Sequence, residues 1–176
     1  IIGIIPVKSV SIAPETSELI VGNELQLTAT IMPENASIQT IRSWESSNPE
    51  IATVDEKGLV KAIAGGEETI TVTTQSGEKT ATSTIVCIVP VTGISVTPES
   101  TALKVSEELQ LEAVVMPENA TNKNVVWTSY NPEVAVVDEN GLVNATGGGE
   151  VTITATTEDG KKTATSVITC TVPVAN

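Results

Sequence analysis

Residues 32–36 read MPENA and residues 116–120 read MPENA again, an offset of 116 − 32 = 84. The neighbours repeat with them. SIAPE from Ser11 answers SVTPE from Ser95, and NELQLTATIMPENA from Asn23 answers EELQLEAVVMPENA from Glu107, all at that offset and without a gap. Further on the offset becomes 127 − 44 = 83, because ASIQTIRSW is one residue longer than ATNKNVVW. It then holds through Trp44/Trp127, Asp55/Asp138, Gly58/Gly141 and Cys87/Cys170. One loop is expected to carry the insertion. Self-similarity over roughly 85 residues suits tandem, separately cored domains rather than the short units of a solenoid. The expected modules are residues 6–89 and 90–173. Residues 1–5, which align with IVCIV ahead of Pro90, read as the tail of a preceding module or a linker, and residues 174–176 as the start of a following segment. A chain that opens on Ile1 reads as a piece of a longer array.

The apolar content decides the class of fold. It comes from Val, Ile, Leu and Ala, with no Phe, and Thr is abundant. Branched side chains sit well on a pleated, half-buried surface, so an all-β chain is expected. Nine Lys and Arg against 22 Asp and Glu give a net charge of −13, a field that repels phosphate backbones and anionic lipid. Nucleic acid and direct membrane insertion are excluded as expectations, the latter because no apolar run approaches the ~20 residues needed to span a bilayer.

Within one module, Leu25, Leu27, Ala29 and Ile31 alternate with Gln26, Thr28 and Thr30, the period of a strand with one buried face. MPENA ends it, since proline cannot donate to a ladder and Asn favours turns. A strand carrying Trp44 or Trp127 follows. Residues 51–62 and 134–145 then read as hairpins in which Gly58 or Gly141 supplies a positive φ. After a Gly-rich bend come two long strands, the last with Ala81, Ser83, Ile85, Cys87 and Val89 on one face. With short strands near Ile12 and Leu19, each module has about seven or eight strands, the number of an immunoglobulin-like sandwich, with a Trp where such a core places one.

The order of residues in the second copy, GISVTPES, LKV, ELQLEAVVMPENATNKNVVW, NPEVAVVDENGLVNATGGGEVTITATT, resembles the bacterial immunoglobulin-like domain, group 2, and both modules match it end to end. The resemblance implies a disulfide-free sandwich, used as a repeated stalk or presenting module in bacterial surface adhesins and as a decoration on phage structural proteins. The fold class expected is therefore all-β, two tandem immunoglobulin-like sandwiches arranged end to end.

Candidate chemistry is sparse. Cys87 and Cys170 hold equivalent places in different modules, ~35 to 40 Å apart if ~11 strand residues of 3.3 Å rise separate them, too far for a bridge. They read as buried apolar thiols, with a reactive or intermolecular thiol as the alternative. Asp55, Glu56, Asp138 and Glu139 are weak calcium candidates. They fail the EF-hand spacing and read better as hairpin tips, the alternative being carboxylates gathered from distant loops at a module junction. Glycines 147 to 149 lack the Lys and Ser/Thr of a phosphate loop, and the sequons at Asn35, Asn119 and Asn144 are what such turns spell. There is no His, and neither Cys has a His partner, so catalysis and cofactors are not expected. Trp44 and Trp127 are assigned to cores. Tyr130, whose counterpart is Ser47, is the candidate ligand contact.

The function expected is a structural spacer in a larger bacterial surface protein, extending or presenting a binding domain. Its partners would be the neighbouring domains of the same chain, with the fragment itself monomeric and extracellular. The alternatives are an adhesin binding a host protein or glycan through end loops, and a decoration module on a phage capsid or tail. The joint Val89-Pro90-Val91 has no Gly/Ser-rich spacer, and proline restricts both itself and the residue before it. Small-angle scattering of the chain is accordingly expected to give a maximum dimension of ~70 to 80 Å, from two modules of ~11 strand residues each. A value of ~50 Å would refute the end-to-end arrangement.

Overall fold

The computed structural model describes residues 3–173; Ile1, Ile2 and residues 174–176, part of the terminal segments expected above, lie outside the described residues. The chain divides into two compact units at Val89/Pro90, each built from strands alone. The first unit contains β1 (Ser9–Ala13), β2 (Thr16–Ile20), β3 (Glu24–Gln26), β4 (Thr28–Met32), β5 (Ile41–Ser46), β6 (Ala52–Val54), β7 (Leu59–Ala62), β8 (Gly66–Thr74) and β9 (Thr80–Ile88). The second repeats them as β10 (Gly93–Thr97), β11 (Ser100–Lys104), β12 (Glu108–Gln110), β13 (Glu112–Met116), β14 (Val125–Ser129), β15 (Ala135–Val137), β16 (Leu142–Ala145), β17 (Gly149–Thr157) and β18 (Thr163–Thr171).

Each unit is a two-layer sandwich. One layer has the order β2-β9-β8-β5, with β2 parallel to β9 and the other pairs antiparallel; the second layer is made of β3-β7-β6 and the pair β1-β4. The second unit has the same topology, strand for strand. Ile70 and Val72 on β8, and Ile85 and Cys87 on β9, project into the core against Ile12, Leu27, Ala52 and Val60 of the opposite layer. The period-two pattern makes this possible, because alternate side chains of a strand share one face.

The buried serines and threonines of the core face have partners. Ser83 and Ser166, both fully buried, donate to the carbonyls of Pro14 and Pro98 at 2.7 Å, where the chain crosses from one layer to the other. Left unpaired, such a hydroxyl would cost about 1–3 kcal/mol. Thr74 accepts from the amide of Lys79 and Thr157 from that of Lys162, each at 2.9 Å, which fixes the turns beyond β8 and β17.

Two strands depart from the sequence reading. The alternating run from Leu25 to Ile31 is two strands rather than one, broken at Leu27. β3 pairs with β7 while β4 pairs with β1, and the amide of Leu27 is taken by the carbonyl of Gly58 at 2.9 Å. Period two survives the change of partner, so the pattern did not reveal it. The extra residue of the first module, in turn, lies in a strand rather than a loop. Ile41 pairs with Thr74 and Ser43 with Thr73, so Arg42 is a bulge in β5; in β14 the equivalent Val125 and Val126 pair with Thr157 and Thr156 without interruption.

MPENA is a backbone-closed turn. The amide of Ala36 donates to Pro33 and that of Ala120 to Pro117, each at 2.9 Å, and both alanines are buried. Trp44 and Trp127, which the sequence assigns to the cores, are instead half-buried and pack on the rims of those cores. Each indole lies against the hairpin glycine. Gly141 has φ +83°, and a Cβ there would stand 2.8 Å from Trp127 Cζ2 and 2.9 Å from the Leu111 carbonyl. Gly141→Ala is therefore expected to destabilise the second unit by at least about 1–3 kcal/mol from the backbone alone. Urea melts followed by tryptophan fluorescence check this. The transition of the second unit should move to lower urea while that of the first stays in place.

Candidate functional site

The hairpin acids act as turn caps. Asp55 Oδ1 accepts from the amides of Lys57 and Leu59, both at 2.8 Å, and Asp138 Oδ1 from those of Asn140 and Leu142, also at 2.8 Å. These backbone donors, Leu59 first for Asp55 and Leu142 first for Asp138, hold both carboxyls below the usual aspartate range. Glu56 and Glu139 are exposed beside them. Among the described residues no three Asp, Glu, Cys or His side chains converge as a metal site.

Cys87 and Cys170 are buried and free. Burial pushes both thiols up, and the carboxylate of Glu68 pushes Cys87 further, so neither presents a thiolate. Tyr130 is 79% exposed at the end of β14, its amide donating to Thr152 in the neighbouring strand.

Two features escaped the sequence reading. The first is Glu68, 1% exposed on the core face of β8. Its Oε1 accepts from the amides of Ser47 (2.6 Å) and Asn48 (3.1 Å) and from the Ser47 hydroxyl (3.1 Å), pinning the loop after β5. Its Oε2 is buried without a hydrogen-bond partner. The second unit has Val151 at the equivalent place and Tyr130 where Ser47 stands, so acceptor and donor are lost together. The signal was legible: Glu68 falls in phase with Ile70 and Val72.

The second feature is the edge of each sandwich. β5 and β14 end their layers, with β8 and β17 on one side and no strand on the other among the described residues. Beside β14 two hollows of ≈ 610 Å³ and ≈ 250 Å³ share Trp127 in their lining, one reaching toward Val125 and the other toward Ser129.

The acid caps generate a pH prediction. A carboxyl whose folded pKa lies below its unfolded value of about 3.9 adds stability above that pH and loses it as pH falls through the folded value. A variant carrying Asp55→Ala and Asp138→Ala should melt below the parent at pH 7, and the gap should close as pH is lowered from about 4 toward 2. Thermal melts across that range check the outcome, and a gap that stays constant would mean that the carboxylate charge is not what the caps contribute.

Comparison with known proteins places this architecture among relatives. The bacterial Ig-like domain (group 2) matches residues 6–85 and again residues 90–168. An Ig-like virion protein of Serratia phage KSP90 is 36% identical over 165 residues, covering 90% of this chain and 63% of that protein. A 3-O-alpha-D-galactosyl-alpha-L-arabinofuranosidase of Bifidobacterium longum subsp. longum is 48% identical over 69 residues, 39% of this chain and 6% of the enzyme. The solved structure of the Yersinia pseudotuberculosis adhesin InvE superposes with a TM-score of 0.48 at 17% identity, covering 95% of this chain and 60% of that one. The chain thus spans less than two thirds of the length of each of these proteins.

Proposed function

We propose that this chain, which belongs to the bacterial Ig-like domain (group 2) family, is a non-enzymatic spacer in a longer surface-exposed protein, where it holds a binding domain away from its anchor. The observation that carries this reading is what the two units have in common. The core face, the buried serines at the layer crossings, the threonine-fixed turns and the Asp-capped hairpins recur at matching positions. The groups with spare chemistry, Glu68 and Tyr130, occur in one unit each. A spacer needs repetition of fold and no repetition of site. The net charge of −13 fits an extracellular stalk, since it opposes clustering of neighbouring copies.

A decoration module of a phage particle is the second reading. It is favoured by the relative described as an Ig-like virion protein, which the chain matches over 90% of its own length. In both settings the partners are the neighbouring domains of the parent chain. The galactosyl-arabinofuranosidase is matched over 6% of its length, so the likeness there concerns a module and carries no activity to this chain.

A length series in the parent protein tests the spacer. One, two or four copies of residues 6–89 in place of residues 6–173 should shift the reach of the terminal domain with copy number, measured by its accessibility to antibody at the cell or particle surface. A reach that stays the same whatever the number of copies would overturn the spacer reading.

A further inference from the structure

The two units differ along the open edge of the outer strand. In the first unit this edge is spoiled for pairing. Arg42, its guanidinium paired with the Glu78 carboxylate, bulges out of β5, and Arg42 and Lys57 line the hollows beside Trp44. Bulges and cations are the devices by which natural sheets keep their edges from pairing. The second unit has none of them in the strand itself. β14 reads VVWTS, pairs with β17 in unbroken register, and belongs to a stretch from Asn124 to Gly160 that contains no Lys or Arg.

The outward residues have changed in the same sense. Ser43, Ser47 and Thr53 of the first unit are replaced by Val126, Tyr130 and Val136, which are 53%, 79% and 41% exposed. Two of these replacements put valine where a hydroxyl side chain stood and the third puts an aromatic ring there, and all three lie on β14, immediately after it, or on β15, which borders the smaller hollow beside Trp127.

Backbone groups are available along this edge. Asn124 and Tyr130 bond across to Glu158 and Thr152, and antiparallel pairs alternate between bonded and non-bonded. Val126 and Thr128 therefore bond toward β17, and the N–H and C=O groups of Val125, Trp127 and Ser129 point away from it. The hollows along this edge share Trp127 and are lined by Val136, Val137 and Pro132 at one end and by Glu112 and Glu139 at the other. The one cation in their lining, Lys123, has its ammonium 2.9 Å from the Glu118 carbonyl.

We propose that the β14 edge of the second unit is a docking site for an extended segment of another protein, one that alternates apolar and cationic residues and adds to the sheet as a further strand. Main-chain bonds to Val125, Trp127 and Ser129 would hold it, as in other strand additions. Its inward side chains would rest on Trp127 and Val137. An Arg or Lys at the Pro132 end of the segment would lie beside the exposed Tyr130 ring, where a cation is attracted to the aromatic face, and cations at its other end would lie in the field of Glu112 and Glu139. A second copy of this chain is the wrong occupant, because its own charge of −13 opposes approach to an acidic rim. The site is separate from the spacing role and stands or falls without it.

The experiment is amide chemical-shift mapping on the whole 176-residue chain, titrated with a blocked octapeptide of alternating arginine and valine. The expected result is saturable shifts at Val125, Trp127 and Ser129 with no matching change at β5. A peptide N-methylated at alternate residues should bind at least about tenfold more weakly, because it cannot complete the ladder. A Val126→Lys, Val136→Lys variant, altered only at exposed positions, should lose binding while its melting temperature stays within a few degrees. Equal shifts in both units, or binding that N-methylation leaves intact, would mean charge attraction alone and overturn the proposal. So would an absence of shifts up to about 1 mM peptide, the weak end of specific association. Concentration-dependent shifts at these amides without peptide would replace the proposed partner with a second copy of the chain.

Discussion

One contact ties each sandwich together, the meeting of Gln, Leu, Gly and Trp at the hairpin. In the first unit the Gln26 amide nitrogen donates to the carbonyls of Leu27 (2.8 Å) and Lys57 (2.7 Å), the Leu27 amide donates to Gly58, and the Trp44 indole covers the glycine. Gln110, Leu111, Gly141 and Trp127 repeat it, with Asn140 in place of Lys57. At this point the chain changes sheet partners, the β6–β7 hairpin turns, and a strand of the opposite layer closes the rim. Only glycine suits the place, since the φ is +80° and the indole stands 2.8 Å from where a Cβ would be. The Asp55 cap fixes the same hairpin from its other side. The strings ELQL, W, D and G, scattered over some thirty residues of sequence, are repeated together because they are parts of one junction.

That junction explains what was legible in the sequence. The turn glycines, the caps and the alternation of core residues are local, so they leave local traces, and the fold class, the hairpins and both long strands follow from them. The break at Leu27 left no trace because a strand can trade neighbours without changing the face it buries. The bulge at Arg42 was visible only as an inserted residue, and nothing local distinguishes an extra residue in a strand from one in the loop before it. Glu68 could have been found from its phase. A carboxylate in step with Ile70 and Val72 must either be buried with donors or distort the strand, and Ser46, Ser47 and Asn48 come from a segment about twenty residues away.

The candidate site was less legible than the fold for the same physical reason. Repetition identifies what both units share, and what they share is the fold. Function specific to one unit lies in the residues that break the repeat, which a search for self-similarity passes over. Tyr130 was noticed because it is an aromatic residue whose counterpart, Ser47, is not. Val126 and Val136 were not, since a valine in a strand raises no question until its exposure is known.

The exchange of Glu68 and Ser47 for Val151 and Tyr130 shows how such divergence is accommodated. In the first unit the loop after the outer strand is drawn inward by a buried carboxylate, and its serine faces that acceptor. Replacing the acid by valine fills the core with an apolar side chain and removes the acceptor, so the residue opposite no longer needs a hydroxyl. An aromatic ring at that position then projects into solvent at no cost to the interior. The Gln–Leu–Gly–Trp junction lies at the other end of the hairpin and is unchanged by the substitution. The sandwich therefore separates a region that must be conserved for folding from an edge that is free to vary, and the two units record two outcomes of that freedom: one edge closed by a bulge and its cations, the other left straight, apolar and rimmed with acid.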